Sequence, residues 1–228
     1  MFVMHNPIMW VDPWGLFAEL PSFILWDPDQ HSEFSVQWHV NNMAAALERL
    51  FGGTVHQIDT RGWQAEDFGA WWNNLSGDIG AVVFFGHGRD DRLQFDSVQD
   101  HGRRYRPGGT LDTDFGMSVH QMNNLLNLSS QNISMLLLMS CNPGIGTLNI
   151  ADNFTRFINS ETVFAPTGNL NVQMRFAGFG GGFLSRSGYI AAFSQLSNGM
   201  TMIDERAISA SRRRSPAHFI REMHEARF

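Results

Sequence analysis

Two apolar runs decide the fold: AVVFFGHG at residues 81–88 and SMLLLMSCNPG at residues 134–144. Each run lacks polar alternation and is bounded by Gly or Pro, a pattern typical of a strand that is buried on both faces of a parallel sheet. The carboxyl ends of parallel neighbours lie side by side, and ligands of open α/β sheets bind just outside those ends. The runs therefore predict that His87 and Cys141, one at each strand end, lie within reach of one another.

His87 and Cys141 are residue types that can form a base and its nucleophile. A thiol becomes an effective nucleophile when a base lies within hydrogen-bond reach of it. Each residue alone has an ordinary explanation, since a lone Cys at a strand end is usually a small buried hydrophobe and a Gly-His-Gly segment is often a turn. Their occurrence at the ends of the two most strand-like runs favours a catalytic pair.

The composition bounds the class of protein. A chain of 228 residues can bury a sizeable core, and we expect one domain with appendages. No apolar run is long enough to span a bilayer, and a net charge of -6 offers no electrostatic footprint for nucleic acid. Cys141 is the only cysteine, which excludes a disulfide within the chain, and no set of Cys and His has zinc spacing. We therefore expect neither a metal nor another cofactor.

Apolar runs of strand length alternate with stretches of helical periodicity. This alternation predicts an α/β fold with a mostly parallel sheet flanked by helices on both faces. Prolines punctuate residues 17–29 and predict an irregular lead-in there, and a Gly-rich loop is expected at 178–188. The predicted helices cover residues 35–50, 66–75, 117–128, 148–158, 203–211 and 216–227, and the predicted strands cover residues 54–58, 79–85, 93–95, 134–139, 162–166, 172–176 and 189–193.

The run NPIMWVDPWGL at residues 6–16 has turn chemistry, with two prolines, a Gly and an Asp-Pro step. It closely resembles the junction that ends the RHS/YD-repeat core of polymorphic toxins, an Asn-Pro-Ile segment followed by Asp-Pro-x-Gly-Leu. The resemblance implies that the repeat shell cuts the chain between Leu16 and Phe17 and that residues 1–16 are a remnant of the shell. Everything downstream would then be the toxin.

An apolar strand ending in His-Gly, then a helix, then an apolar strand ending in Ser-Cys resembles caspase-like cysteine peptidases. The Gly-His-Gly and the Leu-rich strand into Cys-x-x-Gly are most similar to the CHAT branch of that clan. The resemblance implies catalysis by a dyad of His87 and Cys141, with the backbone N–H groups of Gly88 and Cys141 as oxyanion donors. No acidic residue can be assigned a triad role from the sequence, and we expect the other histidines to be surface or structural residues.

The resemblance also implies a division of the chain. A lead-in segment and first helix would occupy residues 17–53, the caspase-like peptidase domain residues 54–200, and a helical tail residues 201–228. The sheet of the peptidase domain would be caspase-like and mostly parallel.

Together the resemblances imply a cysteine endopeptidase toxin, secreted and delivered by a bacterial toxin system, that cleaves a protein in the cytosol of the recipient cell. The implied partners are that protein substrate, the RHS shell of the parent chain and a cognate immunity protein that inhibits the toxin. A non-proteolytic Cys-His enzyme, such as a deamidase or an acyltransferase, would use the same pair and stays an alternative. A binding module is less favoured because both reactive residues are intact. Asp112-Thr113-Asp114 matches the Asp-x-Asp of metal-dependent glycosyltransferases, but this short match leaves the strand ends unexplained.

Charged residues beside His87 are candidates for a pocket that selects the substrate side chain before the cut. Asp90 and Asp91 would favour a basic side chain there. Arg89, Arg92 or Arg175 would favour an acidic one. The sequence leaves both preferences open.

Overall fold

The computed structural model describes most of the chain. It covers residues 19–28, 33–96, 116–141, 143–146, 149–159, 162–167, 170–173, 182–185, 189–195, 201–207, 220–221 and 224. The junction at residues 6–16, the predicted processing site at Leu16 and Phe17, the Asp-x-Asp at residues 112–114, and Arg175 lie outside the described residues.

Strands and helices alternate along the chain. The strands are β1 (Leu20–Trp26), β2 (Gly52–Asp59), β3 (Asp78–Phe85), β4 (Gly88–Arg89), β5 (Arg92–Gln94), β6 (Gly116–Ser118), β7 (Asn132–Met139), β8 (Val163–Pro166), β9 (Leu170–Gln173), β10 (Gly182–Ser185), β11 (Tyr189–Gln195) and β12 (Thr201–Ala207). The helices in the described part are α1 (Glu33–Phe51), α2 (Ala65–Asn73), α3 (Val119–Asn124) and α4 (Ile150–Phe154).

A seven-stranded sheet in the order β12-β11-β8-β7-β3-β1-β2 forms the centre of the fold. Five neighbours, from β2 to β8, run parallel, and β11 and β12 extend one edge in antiparallel fashion. The predicted α/β fold with a mostly parallel sheet is therefore confirmed. β2 lies on one side of β1 and β3 lies on the other, so the strand order changes direction at β1. In open α/β sheets, ligands bind outside the carboxyl ends of the strands near such a change of direction.

Helices cover both faces of the sheet, as predicted. On one face, called the α1 face below, the apolar side of α1 packs on the central strands, and its buried residues recur at helical spacing. These residues are Val36, Val40, Met43 and Leu47, and they meet Ile24, Val83, Phe85, Leu137 and Met139. On the other face, called the α2 face, the helices α2, α3 and α4 contribute Phe68, Trp72, Met122 and Phe154 against Val82, Phe84, Leu136 and Leu138. Each such side chain contributes about 1.5–3 kcal/mol by full burial.

The predicted irregular lead-in at residues 17–29 is wrong, because its centre forms β1, an internal strand of the sheet that pairs with β2 and β3. Proline removes a ladder hydrogen bond and normally argues against a central strand. Here Pro21 falls where the register against β2 shifts, between Leu20 and Ser22. The missing N–H therefore lies at an irregularity that the strand already has, and the apolar residues 23–26 pair normally.

The predicted helix at residues 203–211 is also wrong, since Thr201–Ala207 is β12 and pairs with β11 along seven residue pairs. Glu and Arg favour helices, but such intrinsic preferences are small and are easily overridden by strand pairing. β1 and β12 belong to the same seven-stranded sheet as β3, β7 and β8.

Smaller differences concern element lengths. Residues 116–118 form β6 and α3 starts at Val119, because the side chain of Ser118 caps that helix by accepting from Gln121 N–H. The helix α4 is shorter than the predicted 148–158, and β10 lies within the predicted Gly-rich loop at 178–188. Of the predicted terminal helix at 216–227, Ile220, Arg221 and His224 are described and helical, and Ile220 is buried on the α1 face. Among the described residues, no helix combines the length and apolarity needed to cross a bilayer.

Candidate active site

His87 and Cys141 follow neighbouring strands at the same level. Phe85, the last residue of β3, is the register partner of Met139, the last residue of β7. The Gly86 N–H donates to the Met139 carbonyl oxygen at 3.4 Å and continues the ladder beyond the strands. Each reactive residue comes two positions after its strand, so the structure places both at the carboxyl edge of the sheet, and both are partly buried.

Cys141 lies on the α1 face of the sheet. Side chains alternate between faces along a strand, and Met135, Leu137 and Met139 of β7 all belong to the α1 face. Cys141 continues this series and packs against the same cluster. Phe85, the last residue of β3 and two positions before His87, belongs to that face too.

The main chain beside His87 touches the residue before Cys141. A Cβ atom added to Gly88 would lie 2.7 Å from Ser140 Oγ, 2.9 Å from Ser140 Cβ and 3.0 Å from the Arg92 carbonyl oxygen. These separations leave no room for a side chain at residue 88. The ends of β3 and β7 are therefore in direct contact through Gly88 and Ser140.

The peptide between His87 and Gly88 has a defined orientation. The Gln94 N–H donates to the His87 carbonyl oxygen at 3.0 Å, so this carbonyl points towards β5. The peptide is trans, since no cis bond occurs in the described part of the chain. In a trans peptide the N–H points opposite to the C=O, and the Gly88 N–H therefore points away from β5. The Gly88 N–H therefore does not donate within the β4–β5 hairpin, and a donor of this kind can bind an oxyanion.

The loop after Cys141 is held by main-chain hydrogen bonds to two elements. The Pro143 carbonyl oxygen accepts from Ala151 N–H of α4 at 3.1 Å, and Gly144 N–H donates to the carbonyl oxygen of Pro166, at the end of β8, at 3.2 Å. Asn149 caps α4 through its Oδ1, which accepts from Asp152 N–H at 2.8 Å. These contacts fix the chain on the far side of the thiol.

Asp90 and Asp91, the predicted pocket residues for a basic side chain, form the turn between β4 and β5. The Asp90 carbonyl oxygen accepts from Ile150 N–H at 2.8 Å, and the Asp91 carbonyl oxygen accepts from Val119 N–H at 2.9 Å. The turn thus satisfies N–H groups at the starts of α3 and α4, which lack partners within their helices. The main chain of both residues has a structural role.

Arg92 and Asp91 form an ion pair in this turn. Nε and Nη2 of Arg92 donate to the two carboxylate oxygens of Asp91 at 3.3 and 3.4 Å. The guanidinium neutralises the carboxylate, so Asp91 adds no net negative charge to a substrate pocket. Asp90 is exposed, and the side chain of Asp91 is half exposed in spite of the ion pair. Arg175, another predicted pocket residue, lies outside the described residues.

Two buried polar residues near the pair were missed by sequence reasoning. Asp27 follows β1, is 1% exposed, and lies level with Gly86 because Trp26 pairs with Phe85. His39 of α1 is fully buried, and its ring centroid lies 6.3 Å from that of Phe85. The helical spacing of His39 with its apolar neighbours indicates a core position. Asp27 could have been found only by recognising the run before it as a third strand.

No group of three His, Cys, Asp or Glu side chains that could hold a metal ion occurs among the described residues. No protein-family model matches the chain, and comparison with curated proteins and with solved structures gives no match. A functional assignment therefore rests on the residues of the site and on the motifs quoted above.

Proposed function

We propose that the chain is a cysteine endopeptidase in which Cys141 is the nucleophile and His87 the general base. One observation carries the proposal: β3 and β7 pair in register up to their last residues, which places the two reactive groups on adjacent strand ends. The contact of Gly88 with Ser140 supports it, because it brings the main chain beside the base against the side chain of the residue that precedes the nucleophile.

The reaction follows from these positions. His87 takes the proton of the Cys141 thiol, and the sulfur attacks the carbonyl carbon of a peptide bond, forming a C–S bond and an oxyanion. The N–H groups of Gly88 and Cys141 donate to this oxyanion. The C–N bond then breaks, and the His87 imidazolium gives its proton to the leaving amine. Water, deprotonated by His87, finally attacks the thioester carbonyl; the C–S bond breaks, the acid product leaves, and the His87 imidazolium returns its proton to the Cys141 sulfur.

The biological setting is proposed from the two resemblances. The Gly-His-Gly and Ser-Cys endings support a caspase-like, CHAT-type peptidase, and the run at residues 6–16 supports release of the domain from an RHS shell. The substrate would be a protein in the cytosol of a recipient cell, reached through a bacterial toxin delivery system. A cognate immunity protein would protect the producer.

Expression in a susceptible cytosol tests the proposal. Wild type, Cys141→Ala and His87→Ala are expressed separately, and protein termini are compared by mass spectrometry. New termini that share a residue type before the cut, and that are absent with either variant, support a peptidase. His120→Ala is the matched control, because His120 is an exposed histidine of α3 that bonds Asn124, and it should behave like wild type.

The same experiment separates the alternative Cys-His chemistries. Toxicity that depends on Cys141 without any new termini contradicts the peptidase proposal. A deamidase or acyltransferase that uses the same pair would then be favoured, and mass shifts on side chains of cytosolic proteins would identify it.

A further inference from the structure

Ser140 is a buried serine directly before Cys141. It is 1% exposed, and within the described part of the chain its hydroxyl has no hydrogen-bond partner. Buried polar groups nearly always have partners, because leaving one unpaired costs free energy. An unpaired hydroxyl beside a nucleophile therefore calls for a functional explanation.

The hydroxyl faces Gly88 and not the thiol. Leu136 and Leu138 of β7 lie on the α2 face, and Ser140 continues that series, whereas Cys141 packs on the α1 face. Ser140 Oγ lies 2.7 Å from the position that a Cβ atom of Gly88 would occupy. The serine therefore reaches the reaction centre only through the Gly88 main chain.

We propose that Ser140 is a positioning residue whose hydroxyl donates to the Gly88 carbonyl oxygen when the Gly88 N–H binds the oxyanion. This inference rests on the proposed function of the Cys141–His87 pair. A hydrogen bond that is absent in the free protein and formed in the transition state lowers the barrier, whereas a bond formed equally in both states does not. The unpaired state of the hydroxyl in the free protein is what this role requires.

The test compares two reactions of Cys141 in the full chain. p-Nitrophenyl acetate acylates the thiolate: the sulfur adds to the ester carbonyl, an oxyanion forms, and the C–O bond breaks to release nitrophenolate. The thiol proton passes to His87. Iodoacetamide alkylates the same sulfur by displacing iodide from a saturated carbon, and its carbonyl oxygen develops no oxyanion. The ratio of the two rates therefore reports oxyanion stabilisation without knowledge of the natural substrate.

Ser140→Ala should slow the acylation burst about tenfold, less than the roughly hundredfold or greater loss caused by removing a direct oxyanion donor. Alkylation should stay within about twofold of wild type, and the thermal midpoint should be unchanged or raised, because an unpaired buried hydroxyl has been removed.

Ser22→Ala is the matched control. Ser22 is a fully buried serine of β1 whose Oγ does have a partner, accepting from Ala81 N–H at 3.0 Å. Its loss leaves a buried N–H unpaired, so the thermal midpoint should fall by at least about 2 °C while the ratio of acylation to alkylation is unchanged.

Three outcomes would overturn the inference. Equal acylation by Ser140→Ala and wild type would show that the hydroxyl takes no part. An equal fall in the acylation and alkylation rates of Ser140→Ala would show a general effect on the thiol. A lowered thermal midpoint of this variant would show that the Ser140 hydroxyl already has a hydrogen bond in the free protein. Wild type that is alkylated at Cys141 but gives no Cys141-dependent burst would instead refute the proposed function itself, and the inference with it.

Discussion

Replacing Gly88 by alanine should disrupt the contact between the two strand ends. The new methyl group would meet Ser140 Oγ at 2.7 Å, Ser140 Cβ at 2.9 Å and the Arg92 carbonyl oxygen at 3.0 Å. Overpacking of this kind costs about 1–3 kcal/mol. Because β4 must shift to relieve this overpacking, the Gly88 N–H moves as well. We therefore expect the rate of Cys141 acylation by p-nitrophenyl acetate to fall by roughly 10²-fold or more, as for loss of an oxyanion donor.

Denaturant unfolding and the acylation burst measure the two effects. The variant Gly88→Ala/Ser140→Gly removes the two closest atoms, and we expect it to recover stability, with a coupling energy of about 0.5–3 kcal/mol. Gly69→Ala is the control, since its Cβ would lie 3.4 Å or more from its neighbours and alanine is favoured within α2. A Gly88→Ala protein as stable and as reactive as wild type, or a double variant without recovery, would refute the packing argument.

Two further changes test other parts of the structure. Asp96→Asn alters a buried carboxylate that accepts from Gly62 N–H at 2.9 Å, so it should lower stability in the unfolding assay and leave the Cys141 acylation burst unchanged. Burial raises the pKa of Asp59, but hydrogen bonds from Arg61 and its charge outweigh this and hold the pKa below its ordinary value of 3.8. Arg61→Gln should therefore cost less than about 1 kcal/mol at pH 7, because both side chains are largely exposed, and urea unfolding curves of the two proteins should converge as pH falls through the lowered pKa.

The central strands could be predicted because burial on both faces leaves an uninterrupted apolar run. The predicted strand at 79–85 differs from β3 by one residue at its start, and the one at 134–139 ends with β7. β1 was missed because prolines at 21 and 28 suggested loop, and only the register shift against β2 shows how the sheet accommodates the first of them. β12 was missed because its conformation depends on pairing with β11. The residues of β12 do not by themselves indicate that pairing.

The arrangement around the candidate site depends on main-chain groups more than on side chains. Carbonyl oxygens of Asp90 and Asp91 bind the first N–H groups of α4 and α3, and the carbonyl oxygen of Pro143 binds α4 from the other side of the site. Any residue type supplies these acceptors, so sequence reasoning assigned the two aspartates to a pocket on the basis of their carboxylates. The same hydrogen bonds tie the hairpin after His87 and the loop after Cys141 to one short helix. A change in α4 would therefore act on the segment after His87 and on the segment after Cys141 at once.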